Sequence, residues 1–194
     1  MIHHIEGKLV EKTPTYAVID CGGVGYLVHI SLNTFSKISG NAACRLYTHL
    51  AIREDAHVLY GFADKDERVL FLELISVSGV GPGTARMILS SMSPAEIRQA
   101  ILGGDVSALK AIKGIGEKSA QRIIVDLKGK IGKTQDLPAN FFPGDNKVRE
   151  EALTALVTLG FARAVSEKAV DKVLKAEGNV VSVEHLIKLT LKNL

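Results

Sequence analysis

The sequence predicts a multidomain α+β protein, with a five-stranded N-terminal barrel, an all-helical middle segment and a small three-helix C-terminal bundle. Three observations support this. Short β-favouring runs separated by turn signals fill residues 1–62, and hydrophobic spacing changes to a helical period after Asp64. A proline- and glycine-bearing stretch, KTQDLPANFFPGD at 133–145, then interrupts that period before helices resume.

The strand-like runs fall at about 2–12, 15–21, 24–30, 43–53 and 56–62, rich in Val, Ile, Leu, Tyr and Thr. Thr13-Pro14, Gly22-Gly23 and Ser39-Gly40-Asn41 punctuate them. Five strands in so few residues suit a small closed barrel of the OB type (residues 1–64) better than a sandwich, which needs about seven.

From Lys65 the apolar residues Val69, Leu70, Leu72, Leu74 and Ile75 recur at helical spacing. Ser93-Pro94-Ala95-Glu96 is a capping-box start with proline at the first helical position. Gly103-Gly104 ends that helix and Asp105 caps the next. The helical segment is expected over 65–132 and a linker over 133–145, with Phe141 and Phe142 unusual for a tether. Residues 146–194 read as helices at Lys147–Leu159, Arg163–Lys175 and Ser182–Leu191, broken at Gly160 and Gly178. So small a bundle is expected to leave an apolar partner surface, with Leu186 and Leu189 as candidate contacts.

Composition excludes several classes. No stretch approaches the ~20 apolar residues of a membrane span, so no membrane association is expected. The start, MIHHIEGKLVEK, lacks a basic region followed by an apolar core, which points away from a signal peptide and towards the cytoplasm. Cys21 and Cys44 form no CxxC pair, and the six histidines show no ligand spacing. His3 and His4, as strand neighbours, are expected on opposite faces. Neither a metal nor another cofactor is expected. The net charge of +3 says little, but between Asp105 and Lys133 seven basic residues stand against three acidic ones.

An internal repeat lies in the same region. VSGVGPGTARMI (77–88) aligns with IKGIGEKSAQRI (112–123) at an offset of 35 residues, matching Gly79 with Gly114, Gly81 with Gly116, Ala85 with Ala120 and Ile88 with Ile123. Leu74 and Leu109 precede each copy by the same distance. Each copy reads helix, two-glycine hairpin, helix. The glycines permit a tight turn and bring bare backbone close to a ligand. The first turn of the following helix offers free N–H groups and the positive end of its dipole, a ready site for phosphate. A packing repeat with glycine caps is the alternative reading. Lys118-Ser119 suggests a Walker A loop, but Glu117 and Ile112 stand where glycines are required; Gly79, Gly81 and Gly83 are not spaced as GxGxxG.

With barrel, tandem helix-hairpin-helix unit and tethered helical tail in this order, the chain resembles the RuvA family along its whole length. The strings MIHHIEGKLVEK, GGVGYLVHIS (22–31), IREDAHVLYGF (52–62), both hairpins and ALTALVTLGF (152–161) carry the resemblance. It implies a non-catalytic homotetramer, alone or as two tetramers face to face, that binds four-way DNA junctions and recruits the hexameric ATPase RuvB through its tail for branch migration in recombination and repair. The RuvC resolvase is a further partner of such complexes. The implied DNA contacts are Ser78, Gly79, Val80, Gly81, Gly83, Thr84 and Arg86 in the first hairpin. Those of the second are Lys110, Lys113, Gly114, Ile115, Gly116, Lys118, Ser119 and Arg122. The family's acidic pin corresponds to Glu54 and Asp55. A carboxylate ~6 Å from a phosphate costs about 1 kcal/mol at an effective dielectric constant near 50, so a ring of them would steer strands apart. Some relatives carry lysine after the glycine pair, where this chain has Gly83 and Glu117 nearby.

Two other functions remain to be weighed. Tandem hairpins also occur in nucleases and ligases, which need carboxylates clustered around metal ions. Here Glu73, Glu96, Asp105 and Asp126 are spread over several predicted helices. A single-strand-binding barrel would place aromatics among basic residues. This barrel has Tyr16, Tyr26, Phe35, Tyr47, Tyr60 and Phe62 but is net acidic.

Overall fold

The computed structural model describes residues 2–39, 43–135, 144–177 and 182–193, with side chains at 132–135, 144–147 and 176–177 left undescribed. It divides into two compact units at Leu137/Pro138. In the first, strands β1 (His4–Lys12), β2 (Tyr16–Cys21), β3 (Val24–Ile30), β4 (Ala43–Ile52) and β5 (His57–Phe62) close a barrel in the order β1-β2-β3-β5-β4. All pairings are antiparallel except the short parallel contact of β3 with β5. Gly22 and Gly23, both at positive φ, make the two-residue turn between β2 and β3 that the twist of paired strands favours. Ile5, Leu9, Ile19, Val28, Ile30, Leu46 and Leu59 fill the interior, as the alternation of their strands requires.

Two details depart from the sequence expectation. A six-residue helix, α1 (Leu32–Lys37), follows β3 and was not foreseen, because six residues are too few for a helical period to stand out. Ser31 caps it, its hydroxyl accepting the Thr34 N–H at 3.0 Å. His3 lies just ahead of β1, so strand alternation does not apply to it. Its Nδ1 stands 3.1 Å from that of His4.

The helical part contains α2 (Lys65–Ile75), α3 (Pro82–Ser91), α4 (Pro94–Gly103), α5 (Val106–Lys110) and α6 (Glu117–Gln135). The expected caps are present. Ser93 and Glu96 form a reciprocal capping box, Gly104 ends α4 at φ 72°, and Asp105 accepts the Ala108 N–H at 3.0 Å. Leu70, Phe71, Leu74, Ile88, Leu89, Ile101, Leu109, Ile123 and Leu127 are fully buried in one core.

Phe62 of the barrel joins this core, its ring 4.8 Å from that of Phe71, and Tyr60 packs beside them. At the same seam Glu67 is wholly buried, accepting the Ser31 hydroxyl on one oxygen and the Thr34 hydroxyl at 2.8 Å on the other. Burial pushes its carboxyl above the usual range, and the two hydroxyl donors only partly oppose that.

Helix α6 runs to Gln135 and α7 (Gly144–Thr158) opens at Gly144, so helix occupies both ends of the stretch read as a linker. Its centre, with Phe141 and Phe142, lies outside the described residues, as does Gly178. The second unit also holds α8 (Arg163–Glu177) and α9 (Val183–Leu191), around Ala152, Leu153, Leu156, Val170, Val173 and Leu186. Gly160, at φ 100°, turns the chain between α7 and α8.

Candidate nucleic-acid interface

The two hairpins repeat each other bond for bond. In the first, the Val77 N–H donates to Leu74 O (3.1 Å), Val80 N–H to Val77 O (3.0 Å) and Ala85 N–H to Gly81 O (2.9 Å). In the second, Ile112 N–H donates to Leu109 O (3.2 Å), Ile115 N–H to Ile112 O (3.1 Å) and Ala120 N–H to Gly116 O (3.0 Å). Gly79 and Gly114 sit at φ 88° and 89°, a conformation that strains any L-residue. Ala85 and Ala120 are fully buried, which lets each helix pair close tightly.

Gly81 and Gly116 have a different reason to be glycine. Gly81 is the N-cap of α3 at φ −83°, which any residue tolerates, and a Cβ at either glycine would meet nothing within 4 Å. The fold itself does not require glycine there, and the bare backbone leaves room for close approach from outside. No side chain caps the start of α3, and Pro82 has no N–H, so the Gly83 and Thr84 N–H groups are left without an internal acceptor. In α6 the equivalent groups belong to Lys118 and Ser119, and Glu117, which aligns with Pro82, adds a third N–H. Ser78, Gly79, Gly83, Lys113, Gly114, Gly116 and Lys118 are exposed; Gly81, Thr84 and Ser119 are half-buried. The result is two outward-facing rows of amide donors at positive helix ends, with Lys113 and Lys118 beside the second.

The structure reassigns several expected contacts. Val80 and Ile115 are buried hairpin anchors whose N–H groups are already bonded, so they have little left for a ligand. Arg86 reaches the barrel, donating to Thr15 O at 2.9 Å. Arg122 is exposed and donates to Ser78 O at 3.3 Å, tying the second motif to the first hairpin. Lys110 pairs with Glu117 at 3.1 Å across the second hairpin. Sequence reasoning also missed Ser90, whose hydroxyl accepts the Leu32 N–H at 3.1 Å and docks α3 on the barrel; nothing local in the sequence marks it.

Glu54 and Asp55 are exposed in the β4–β5 turn, which an Arg53 N–H bond to Ala56 O closes at 2.9 Å. In the tail, the candidate contact Leu186 is wholly buried, which corrects the expectation that it faces a partner, while Leu189 is half-buried against the same core. Periodicity puts both on the apolar stripe of α9, and that stripe faces inward. The apolar side chains the tail does expose include Val157, Leu159, Phe161 and Val165. Among the described residues no group of three or more candidate ligands could hold a metal ion, and no helix is long and apolar enough to cross a membrane.

Family descriptions match in three consecutive blocks: "RuvA N terminal domain" over residues 1–61, "SAM-like Helix-hairpin-helix tandem" over 71–129 and "RuvA, C-terminal domain" over 147–194. A protein of Christiangramia forsetii named "Holliday junction branch migration complex subunit RuvA" is 52% identical over 194 residues, covering the whole of both chains. The chain belongs to the RuvA family. Similar proteins of the same name in Bacteroides fragilis (55% identity, all of both chains) and Cytophaga hutchinsonii (48%, 99% of both) extend the likeness. Family membership accounts for the closed five-strand barrel followed by tandem hairpins and helices. It also weighs against the enzyme and single-strand readings, and the burial of Phe62 and the packing of Tyr60 against the helical core remove two aromatics from the stacking surface the single-strand reading needs.

Proposed function

We propose that this chain binds four-way DNA junctions without regard to base sequence and serves as the non-catalytic scaffold of a branch-migration complex. The observation that carries the proposal is the pair of duplicated, uncapped helix starts behind glycines the fold does not itself require. Exposed amide hydrogens at positive helix ends hold phosphate oxygens and carry no base information. Ser78, Gly79, Gly81, Gly83 and Thr84 form one cradle. Lys113, Gly114, Gly116, Lys118 and Ser119 form the other, with Arg122 and Lys110 at its margin. The name of the relatives, a subunit of the Holliday junction branch migration complex, supplies the junction and the branch-migration complex.

In this reading the chain divides into a barrel (1–64), a DNA-binding unit (65–132), a linker (133–145) and a partner-binding tail (146–194). Four protomers match the four arms of a junction, and a second tetramer on the opposite face would enclose the DNA. Glu54 and Asp55 from each protomer then gather near the crossover and repel the phosphates that would fold across it. The tail recruits the ATPase RuvB through the exposed group Val157, Leu159, Phe161 and Val165 rather than through Leu186; RuvC would join the same assembly.

Gel-shift competition between a synthetic four-way junction and matched linear duplex tests the proposal. Strong preference for the junction is expected. With about two phosphates neutralised per protomer of a tetramer, the log–log salt slope should be near −7. Equal affinity for both DNAs, or a slope shallower than about −2, would overturn it. Deleting residues 146–194 should abolish recruitment of the ATPase and spare junction binding.

A further inference from the structure

We infer that Arg86 is a positioning residue: its guanidinium docks the helix behind the first hairpin onto the barrel and so sets how that hairpin stands relative to the acidic turn. The inference rests on the reading that the hairpins hold phosphate, and it concerns how the first of them is aimed. Arg86 and Ser90 lie one turn apart on α3, and both engage the barrel side. Arg86 Nη1 donates to Thr15 O at 2.9 Å and stands 3.4 Å from His29 Nδ1. Ser90 Oγ accepts the Leu32 N–H at 3.1 Å and donates to Arg86 O at 2.8 Å.

The acceptor is well fixed. Thr15 O also receives the Ile30 N–H at 3.1 Å, and the Thr13 hydroxyl accepts the N–H groups of Thr15 and Tyr16. Behind His29, the rings of Tyr60 and Phe71 continue the contact into α2, at centroid separations of 5.8 and 5.3 Å. The half-buried guanidinium thus spends its Nη1 on the barrel, bridging the two modules.

The repeat gives independent support. The residue equivalent to Arg86 in the second copy is Gln121, which is exposed. A cation needed at this helix position to hold phosphate would be expected in both copies, whereas a cation that grips a barrel is needed in only one.

The test compares full-length R86Q and S90A with the parent protein on a synthetic four-way junction and matched duplex. Ser90 has no charge, so S90A can loosen the same docking without removing a phosphate partner. Both variants should lose junction affinity, roughly tenfold for R86Q, the equivalent of one charged hydrogen bond. The salt slope should be unchanged and the preference over duplex reduced. In R86Q the His29 imidazole, now held below its usual value by burial and by the Arg86 charge, should titrate higher in an NMR experiment. A slope shallower by about 0.9 per protomer would make Arg86 a phosphate ligand and overturn the inference, as would undiminished junction preference in both variants. Failure of the phosphate reading itself looks different: the parent protein would already show a shallow slope.

Discussion

Substituting Gly81 by serine separates the fold's requirements from the ligand's. Gly81 is an N-cap in an extended conformation with open space around it, so serine fits without strain. Its hydroxyl would accept the N–H of Gly83 or Thr84, the two amides α3 leaves unbonded. Serine exceeds glycine at an N-cap by a few tenths of a kcal/mol, which raises Tm by about 1 °C in a protein of this size. Phosphate must then displace that internal cap, worth about 1 kcal/mol, so each first hairpin weakens by roughly fivefold. G116S should act in the same way on the second hairpin. Thermal melts and fluorescence anisotropy on a labelled junction give the two readouts. A G81S protein that is as stable as the parent and binds the junction within about twofold of it would refute the claim that these amides hold phosphate.

Four further outcomes follow from the same geometry. G79A places a side chain at φ 88° and should lower stability by about 1–2 kcal/mol, seen as a fall in Tm of several degrees; an unchanged Tm would mean the hairpin relaxes freely. E117Q removes the acid that pairs with Lys110, so low-salt junction affinity should rise and the salt slope steepen by up to about 0.9 per protomer, whereas weaker binding would show that Glu117 supports the hairpin. E54Q with D55N should leave junction binding intact or tighter in a gel shift; loss of binding would give these carboxylates another role. Finally, the folded protein holds the Glu67 proton more tightly than the unfolded chain does. That contribution to stability is complete below the unfolded value of about 4.3 and is lost as pH rises through the raised folded value. E67Q should flatten the stability–pH curve across that window in denaturant titrations, and an unaltered curve would contradict the burial argument.

Local signals were legible because their causes are local. The turn glycines, the Ser93–Glu96 box, the Asp105 cap and the change from period two to helical period each depend on residues a few positions apart. The duplicated glycine spacing was equally plain, since a repeat needs only the sequence compared with itself. Helix α1 escaped because its six residues are too short for periodicity. The burial of Leu186 was not legible because an apolar stripe looks the same in sequence whether it faces a core or a partner.

The sequence by itself therefore determined every strand and the longer helices in their order, the duplicated two-glycine hairpins and the family. Only the tertiary structure decided what the long polar side chains do. Arg86 meets a carbonyl 71 residues away, Arg122 one 44 residues away, and Glu67 a hydroxyl 36 residues away. A flexible cation near a glycine hairpin looks like a phosphate ligand in sequence. Whether it turns outward to an anion or inward to a carbonyl depends on which distant backbone the fold brings within about 3 Å of it.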